Sequence, residues 1–130
     1  MGLPQYKKIL IIDDEEDFTT LLKANLEEMI NYEVITARDG REGIRLAVAQ
    51  KPDLILLDVR MPRMDGIAVL KKLKTDQRTL AIPVVMMTAV TDQNTKREAG
   101  FFFNEDYVEK PIPIDVLKER LNKIFSRFGG

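Results

Sequence analysis

Three short apolar runs and one brief mixed run in this chain each lead into a residue capable of chemistry. Ile9-Leu10-Ile11-Ile12 ends on Asp13-Asp14, Leu54-Ile55-Leu56-Leu57 on Asp58, Val84-Val85-Met86-Met87 on Thr88, and Tyr107-Val108-Glu109 on Lys110. If the runs are strands of one parallel sheet, three carboxylates, a hydroxyl and an ammonium meet at its C-terminal rim, where open α/β folds bind ligands. Crowded carboxylates raise one another's pKa unless a cation neutralises them. A donor set made only of oxygens suits Mg²⁺, with Mn²⁺ as a substitute. An ammonium beside such a metal can hold an anion. The combination points to a phosphoryl group, and an Asp next to Mg²⁺ can be the nucleophile that receives it. Taken singly, each residue has a plainer use. Asp13 and Asp14 open an acidic stretch that suits a helix N-terminus, and Asp58 would serve equally as a helix cap or turn residue. Their joint placement at successive strand ends argues against the plainer uses.

Composition removes most rival chemistries. The 130 residues include no Cys, His or Trp, and Ser126 is the only serine. Disulfides, thiolate chemistry, Cys/His zinc sites and His-based acid–base catalysis are therefore excluded, and a Ser-His-Asp triad cannot be built. With 20 Lys+Arg against 21 Asp+Glu the formal net charge is −1, which gives no reason to expect nucleic acid as a main partner, since that would call for a concentrated basic face. No apolar run approaches the ~20 residues of a membrane-spanning helix. The start, Met-Gly-Leu-Pro-Gln-Tyr, lacks the apolar core of a signal peptide. The expectation is a cytoplasmic protein without a membrane partner and without direct nucleic acid contact.

The elements that must position the rim residues can be read from periodicity. The runs at 9–12, 54–57 and 84–87 are apolar at every position, the mark of parallel strands buried on both faces. Glu33-Val34-Ile35-Thr36 is less apolar and reads as an edge strand. Phe18, Leu21, Leu22, Leu26 and Met29 recur at helical spacing, as do Ile44, Ala47 and Val48, then Ile67, Leu70 and Leu73, and finally Val116, Leu117, Leu121, Ile124 and Phe125. All of these apolar positions are expected in the core. Asp39-Gly40 reads as a turn. Residues 91–104 have poor helical spacing, interrupted by Ala99-Gly100, so the length and register of a fourth helix stay open. Alternating strands and helices in one short chain imply an α/β domain: a single five-stranded parallel sheet with helices on both faces.

From about Lys7 through Phe125 the chain resembles the receiver domains of bacterial two-component response regulators. The resemblance is carried by Ile11-Ile12-Asp13-Asp14-Glu15, by the segment from Leu56-Leu57-Asp58 through Met64-Asp65-Gly66, by Pro83-Val84-Val85-Met86-Met87-Thr88-Ala89, and by Tyr107-Val108-Glu109-Lys110-Pro111. It implies a flavodoxin-like (βα)5 fold with strand order 2-1-3-4-5. It divides the chain into an N-terminal extension (1–6), a receiver domain (7–126) and a C-terminal tail (127–130). Asp58 would then be the phosphoacceptor. Asp14 and Asp58 would ligate Mg²⁺, Asp13 would act largely through water, and the backbone C=O of Arg60 would complete the protein ligands. Lys110 would pair with the carboxylate and then with phosphoryl oxygens, aimed by a cis Lys110-Pro111 bond. Thr88 would bond the phosphoryl group and Tyr107 would swing inward, so that these two switch the face formed by the fourth helix, the fifth strand and the fifth helix. Ala89 would leave room for the phosphoryl group, and Arg60 and Val90 stand where the family tunes phosphoryl lifetime.

The implied partners are a sensor histidine kinase or phosphotransfer protein, a downstream protein or fused output domain, and a second copy through the switching face. Without His the chain can receive a phosphoryl group from phosphohistidine but cannot be that donor. The chain departs from the family pattern at Phe103-Asn104, where members often carry Gly-Ala; the three consecutive aromatics Phe101-Phe102-Phe103 cannot all face one core, which makes them a candidate partner face. Two other readings use some of the same residues. A haloacid-dehalogenase-like phosphatase also needs Asp, Mg²⁺, Thr and Lys, but wants a second Asp two residues after the nucleophile, where Arg60 stands. A receiver-like adaptor working without phosphorylation would be expected to lose acidic ligands, and here the set is complete. The chain is read as a switch rather than an enzyme, with only limited self-phosphorylation from small donors and self-dephosphorylation.

Overall fold

Alternation along the strands accounts for the architecture. The computed structural model describes residues 6–29, 31–61, 63–89 and 106–127. Strands β1 (Lys7–Ile12), β2 (Tyr32–Ala37), β3 (Leu54–Asp58), β4 (Val84–Ala89) and β5 (Asp106–Lys110) form one parallel sheet in the order β2-β1-β3-β4-β5. Helices α1 (Glu16–Glu27), α2 (Gly40–Gln50) and α3 (Gly66–Lys74) and a C-terminal helix (Ile114–Arg127) cover it. Leu10, Ile12, Ile55, Leu57, Val84 and Met86 point into one core with Ala47 of α2 and Leu70 and Leu73 of α3. Their neighbours Ile9, Ile11, Leu54, Leu56, Val85 and Met87 point into a second core with Leu22 and Leu26 of α1 and Leu117, Leu121 and Ile124 of the C-terminal helix. Two-residue periodicity thus gives every residue of an all-apolar strand a buried place. Each fully buried aliphatic side chain contributes roughly 1.5–3 kcal/mol.

Two helix positions expected in the core are on the surface. Leu21 is 64% exposed and Val116 43% exposed. Consecutive helical residues point about 100° apart. Leu22 and Leu117 take the inward direction, so the residue just before each is turned out; Thr19 takes an inward place on α1 instead. Asp39-Gly40 opens a helix rather than forming a free-standing turn. Asp39 is the N-cap of α2, its Oδ1 accepting the Glu42 N–H at 2.8 Å, the usual use of Asp at that position. Among the described residues no helix is long and apolar enough to cross a membrane.

Gly66 is the glycine on which the site depends most directly. Its N–H donates to the Val59 carbonyl at 2.7 Å. A Cβ there would run into the carbonyl oxygen of Asp58 and come within 2.6 Å of the Val59 Cα. These are backbone atoms that cannot swing aside. Gly66→Ala is expected to destabilise the domain by about 2–3 kcal/mol, since overpacking against backbone forces the chain to shift. Urea unfolding of the two proteins checks this, and an unchanged midpoint would contradict it.

Candidate functional site

Sheet topology explains why the acidic residues meet. The chain winds from β1 to β2 on one side and returns to β3 on the other, and a cleft opens where the winding reverses. Ile12 pairs with Leu57 across β1 and β3, so the next residues along, Asp13 and Asp58, lie side by side at the rim. Asp13 and Asp58 continue the alternation of Ile9 and Ile11 and of Leu54 and Leu56, and Lys110 that of Val108; all five apolar residues belong to the core under α1 and the C-terminal helix. These three side chains therefore share the face that α1 covers. Asp13, Asp14 and Asp58 each place a carboxylate oxygen within 4.8 Å of the other two; Asp13 and Asp58 are buried and Asp14 is exposed.

Lys110 joins the cluster across the sheet. Its Nζ donates to Asp13 Oδ2 at 2.8 Å and to Glu15 Oε1 at 3.0 Å, and lies 3.5 Å from Asp58 Oδ1. The Phe18 ring of α1 sits over the ammonium, 4.4 Å from the ring centre, a favourable cation–π distance. The Lys110-Pro111 peptide bond is cis, as the resemblance implied. Burial lowers the Lys110 pKa, but the hydrogen bonds to Asp13 and Glu15 and the charges of Asp58 and Asp13 outweigh it, so the ammonium is held above its ordinary value.

One cation does not neutralise this cluster. Burial and the adjacent Asp13 charge push the Asp58 carboxyl up to about 7, against the pull of Lys110 and of the Arg60 backbone N–H that bonds to it. Oxygen donors with surplus negative charge are what a hard divalent cation requires. The residues present fit Mg²⁺ on that ground. The Arg60 side chain is exposed.

Thr88 and Tyr107 occupy the other face. Thr88 continues the alternation of Val84 and Met86 and is buried. Tyr107 pairs with Met86, one step back along the strands, and packs half-buried against the same core. Its carbonyl accepts a hydrogen bond from the Arg120 guanidinium at 3.0 Å. The proposed switch residues thus share a face with each other, while Asp13, Asp58 and Lys110 share the opposite one. The Ala89 side chain, Val90, Phe101, Phe102, Phe103 and the segment of the fourth helix lie outside the described residues.

Sequence reasoning did not single out Glu15 and Phe18 as partners of Lys110. A signal was present for Glu15. It occupies the N-cap of α1 yet makes no side-chain capping bond there, and Glu is not among the residues that favour that position.

Comparison with known proteins agrees with this geometry. The profile of the response regulator receiver domain matches residues 9–122. The chain is 43% identical over 121 residues to the alkaline phosphatase synthesis transcriptional regulatory protein PhoP of Bacillus subtilis, covering 93% of this chain and 49% of PhoP. It is 39% identical over 120 residues to the DNA-binding dual master transcriptional regulator RpaA of Synechocystis, covering 92% of this chain and 49% of RpaA. The chain thus spans about half the length of these curated relatives. Among solved structures, the signal receiver domain of a histidine kinase from Syntrophus aciditrophicus superposes with a TM-score of 0.86 at 32% identity, over 95% of this chain and 92% of that one. The Vibrio cholerae chemotaxis protein CheY4 superposes with a TM-score of 0.84 at 29% identity, over 91% of this chain and 98% of that one. A sheet wound in the order 2-1-3-4-5, acids at its switch point and a sequence match along most of its length make this chain a member of the response regulator receiver domain family.

Proposed function

We propose that the chain is a Mg²⁺-dependent phosphoacceptor switch in which Asp58 takes a phosphoryl group from the phosphohistidine of a sensor kinase or phosphotransfer protein. The observation that carries this reading is the placement of a buried Asp58 beside two further carboxylates and within 3.5 Å of the Lys110 ammonium. Asp14 and Asp58, with the Arg60 carbonyl and with Asp13 acting through water, would hold the metal, which offsets the negative charge gathered as phosphoryl oxygens approach. An Asp58 oxygen forms a bond to phosphorus as the donor's P–N bond breaks, the electron pair returning to the imidazole. Lys110 then pairs with the phosphoryl oxygens. Thr88 donates its hydroxyl to the same group, and Tyr107, on the same sheet face, follows it inward. Two packings of that face are what a partner reads.

The catalytic content is limited to self-phosphorylation from small donors and self-dephosphorylation. A phosphatase turning over esters wants an acid–base carboxylate two residues after the nucleophile, and Arg60 is there. The setting is cytoplasmic, and the effect passes to a downstream protein, a fused output domain or a second copy of the chain. Arg60 and Val90 set the lifetime, since neither side chain can act as a base toward water. Acetyl phosphate with Mg²⁺ is expected to add the mass of one phosphoryl group to the wild type and none to Asp58→Asn. Intact-protein mass spectrometry reads the result, and an equal gain in the variant would overturn the assignment of Asp58.

A further inference from the structure

We propose that Glu15 is a positioning residue that sets how readily Lys110 reaches a phosphoryl group, holding the ammonium at the α1 end of the site. This rests on the phosphoacceptor reading of Asp58 and extends it to a residue that reading does not use. The resting place of Lys110 is well defined. Its two short bonds go to Asp13 and Glu15, at 2.8 and 3.0 Å, while the distance to Asp58 Oδ1 is 3.5 Å.

The ammonium is thus parked beside the start of a helix, where the backbone N–H groups repel a cation. Acidic partners and the Phe18 ring compensate for that repulsion. Glu15 is built for the task. Its backbone N–H is fixed by Asp13 Oδ1 at 2.9 Å. Its carboxylate forgoes capping α1 and instead bonds a residue 95 positions away in sequence. Asp13 cannot be released from Lys110 without disturbing both that bond and the site itself. Glu15 is 62% exposed at its side chain and touches Lys110 from outside the acid cluster, so it can let go alone. Its pull competes directly with that of an incoming phosphoryl group for one ammonium.

Charge and reach can be separated by substitution. Glu15→Ala removes both. Glu15→Asp keeps the charge but draws the carboxylate back by about 1.5 Å, the length of one carbon–carbon bond, beyond hydrogen-bonding distance of Lys110 and toward the helix N–H groups that Asp caps.

The experiment titrates the full chain with beryllofluoride, a phosphoryl mimic that bonds a carboxylate oxygen, in saturating Mg²⁺, reading the bound species by fluorine NMR. Both variants are expected to bind about three- to tenfold more tightly than wild type, the scale of one charge-assisted hydrogen bond shared between two acceptors. Tightening in Glu15→Ala with wild-type affinity in Glu15→Asp would overturn the inference in favour of a simple charge effect. So would wild-type or weaker affinity in both. Failure of the wild type to bind, or equal binding by Asp58→Asn, would overturn the phosphoacceptor reading and this inference together, a result distinct from either of the others.

Discussion

In EDTA at pH 8, Asp58→Asn is expected to be more stable than wild type by about 2–3 kcal/mol, a rise of roughly 6–10 °C in the midpoint of thermal unfolding. In the folded chain the Asp58 carboxyl is pushed up to about 7 by burial and by Asp13, from an ordinary value of 3.8. Between those two pH values the folded state holds a proton that the unfolded state has released, so stability falls as pH rises across that window. Above it the whole cost of an ionised, crowded Asp58 is felt. Asn carries no charge, and its one carbonyl oxygen can still accept the Arg60 N–H. The gap between the two proteins is expected to close as pH is lowered from 7 to 4, and a constant gap would contradict this account.

Crowding by itself would also favour Asp13→Lys, which sets an ammonium among the carboxylates. The structure moves the expectation to Asp58. Asp13 is fully buried at its side chain and holds both Lys110 and the Glu15 N–H, so a lysine there would lose both bonds and bury a second ammonium beside Lys110.

Metal affinity is expected to depend steeply on acidity. A proton on Asp58 removes one of the carboxylates, and metal and proton then compete for it. With that carboxyl at about 7 in the metal-free chain, the apparent Mg²⁺ affinity should fall about tenfold for each pH unit below 7 and level off above 8. Calorimetric titration with MgCl₂ from pH 8 to pH 5 checks this, with about a fiftyfold loss expected between pH 7 and pH 5. Asp14→Asn should bind poorly throughout. An affinity unchanged over that range would mean that Asp58 is no ligand.

What the sequence discloses and what it conceals follow from the range of the interactions concerned. The all-apolar runs at 9–12, 54–57 and 84–87 identify strands buried on both faces because their pattern is local and has one solution. The rim residues are legible for the same reason, each standing at the end of such a run. Leu21 and Val116 are misread because adjacent apolar residues on a helix leave open which of the two turns inward, and only packing on the sheet decides. Glu15 is missed because its partner is a lysine from the far end of the chain. The opposite faces taken by Lys110 and Thr88 depend on strand register, which alternation implies only once the pairing is known. Within the acid cluster, composition announces repulsion, but the sharing of Lys110 between Asp13 and Glu15 decides where it is felt.

The central claim is that Asp58, and no other carboxylate in a crowded acidic site, takes the phosphoryl group. Borohydride reduces an aspartyl phosphate to homoserine, marking the acceptor permanently. After treatment with acetyl phosphate and Mg²⁺, reduction and proteolysis, tandem mass spectrometry should find homoserine at position 58 in the wild type and unmodified Asp at 13 and 14. Homoserine at 13 or 14, or none at 58 in protein that has gained phosphoryl mass, would contradict the account.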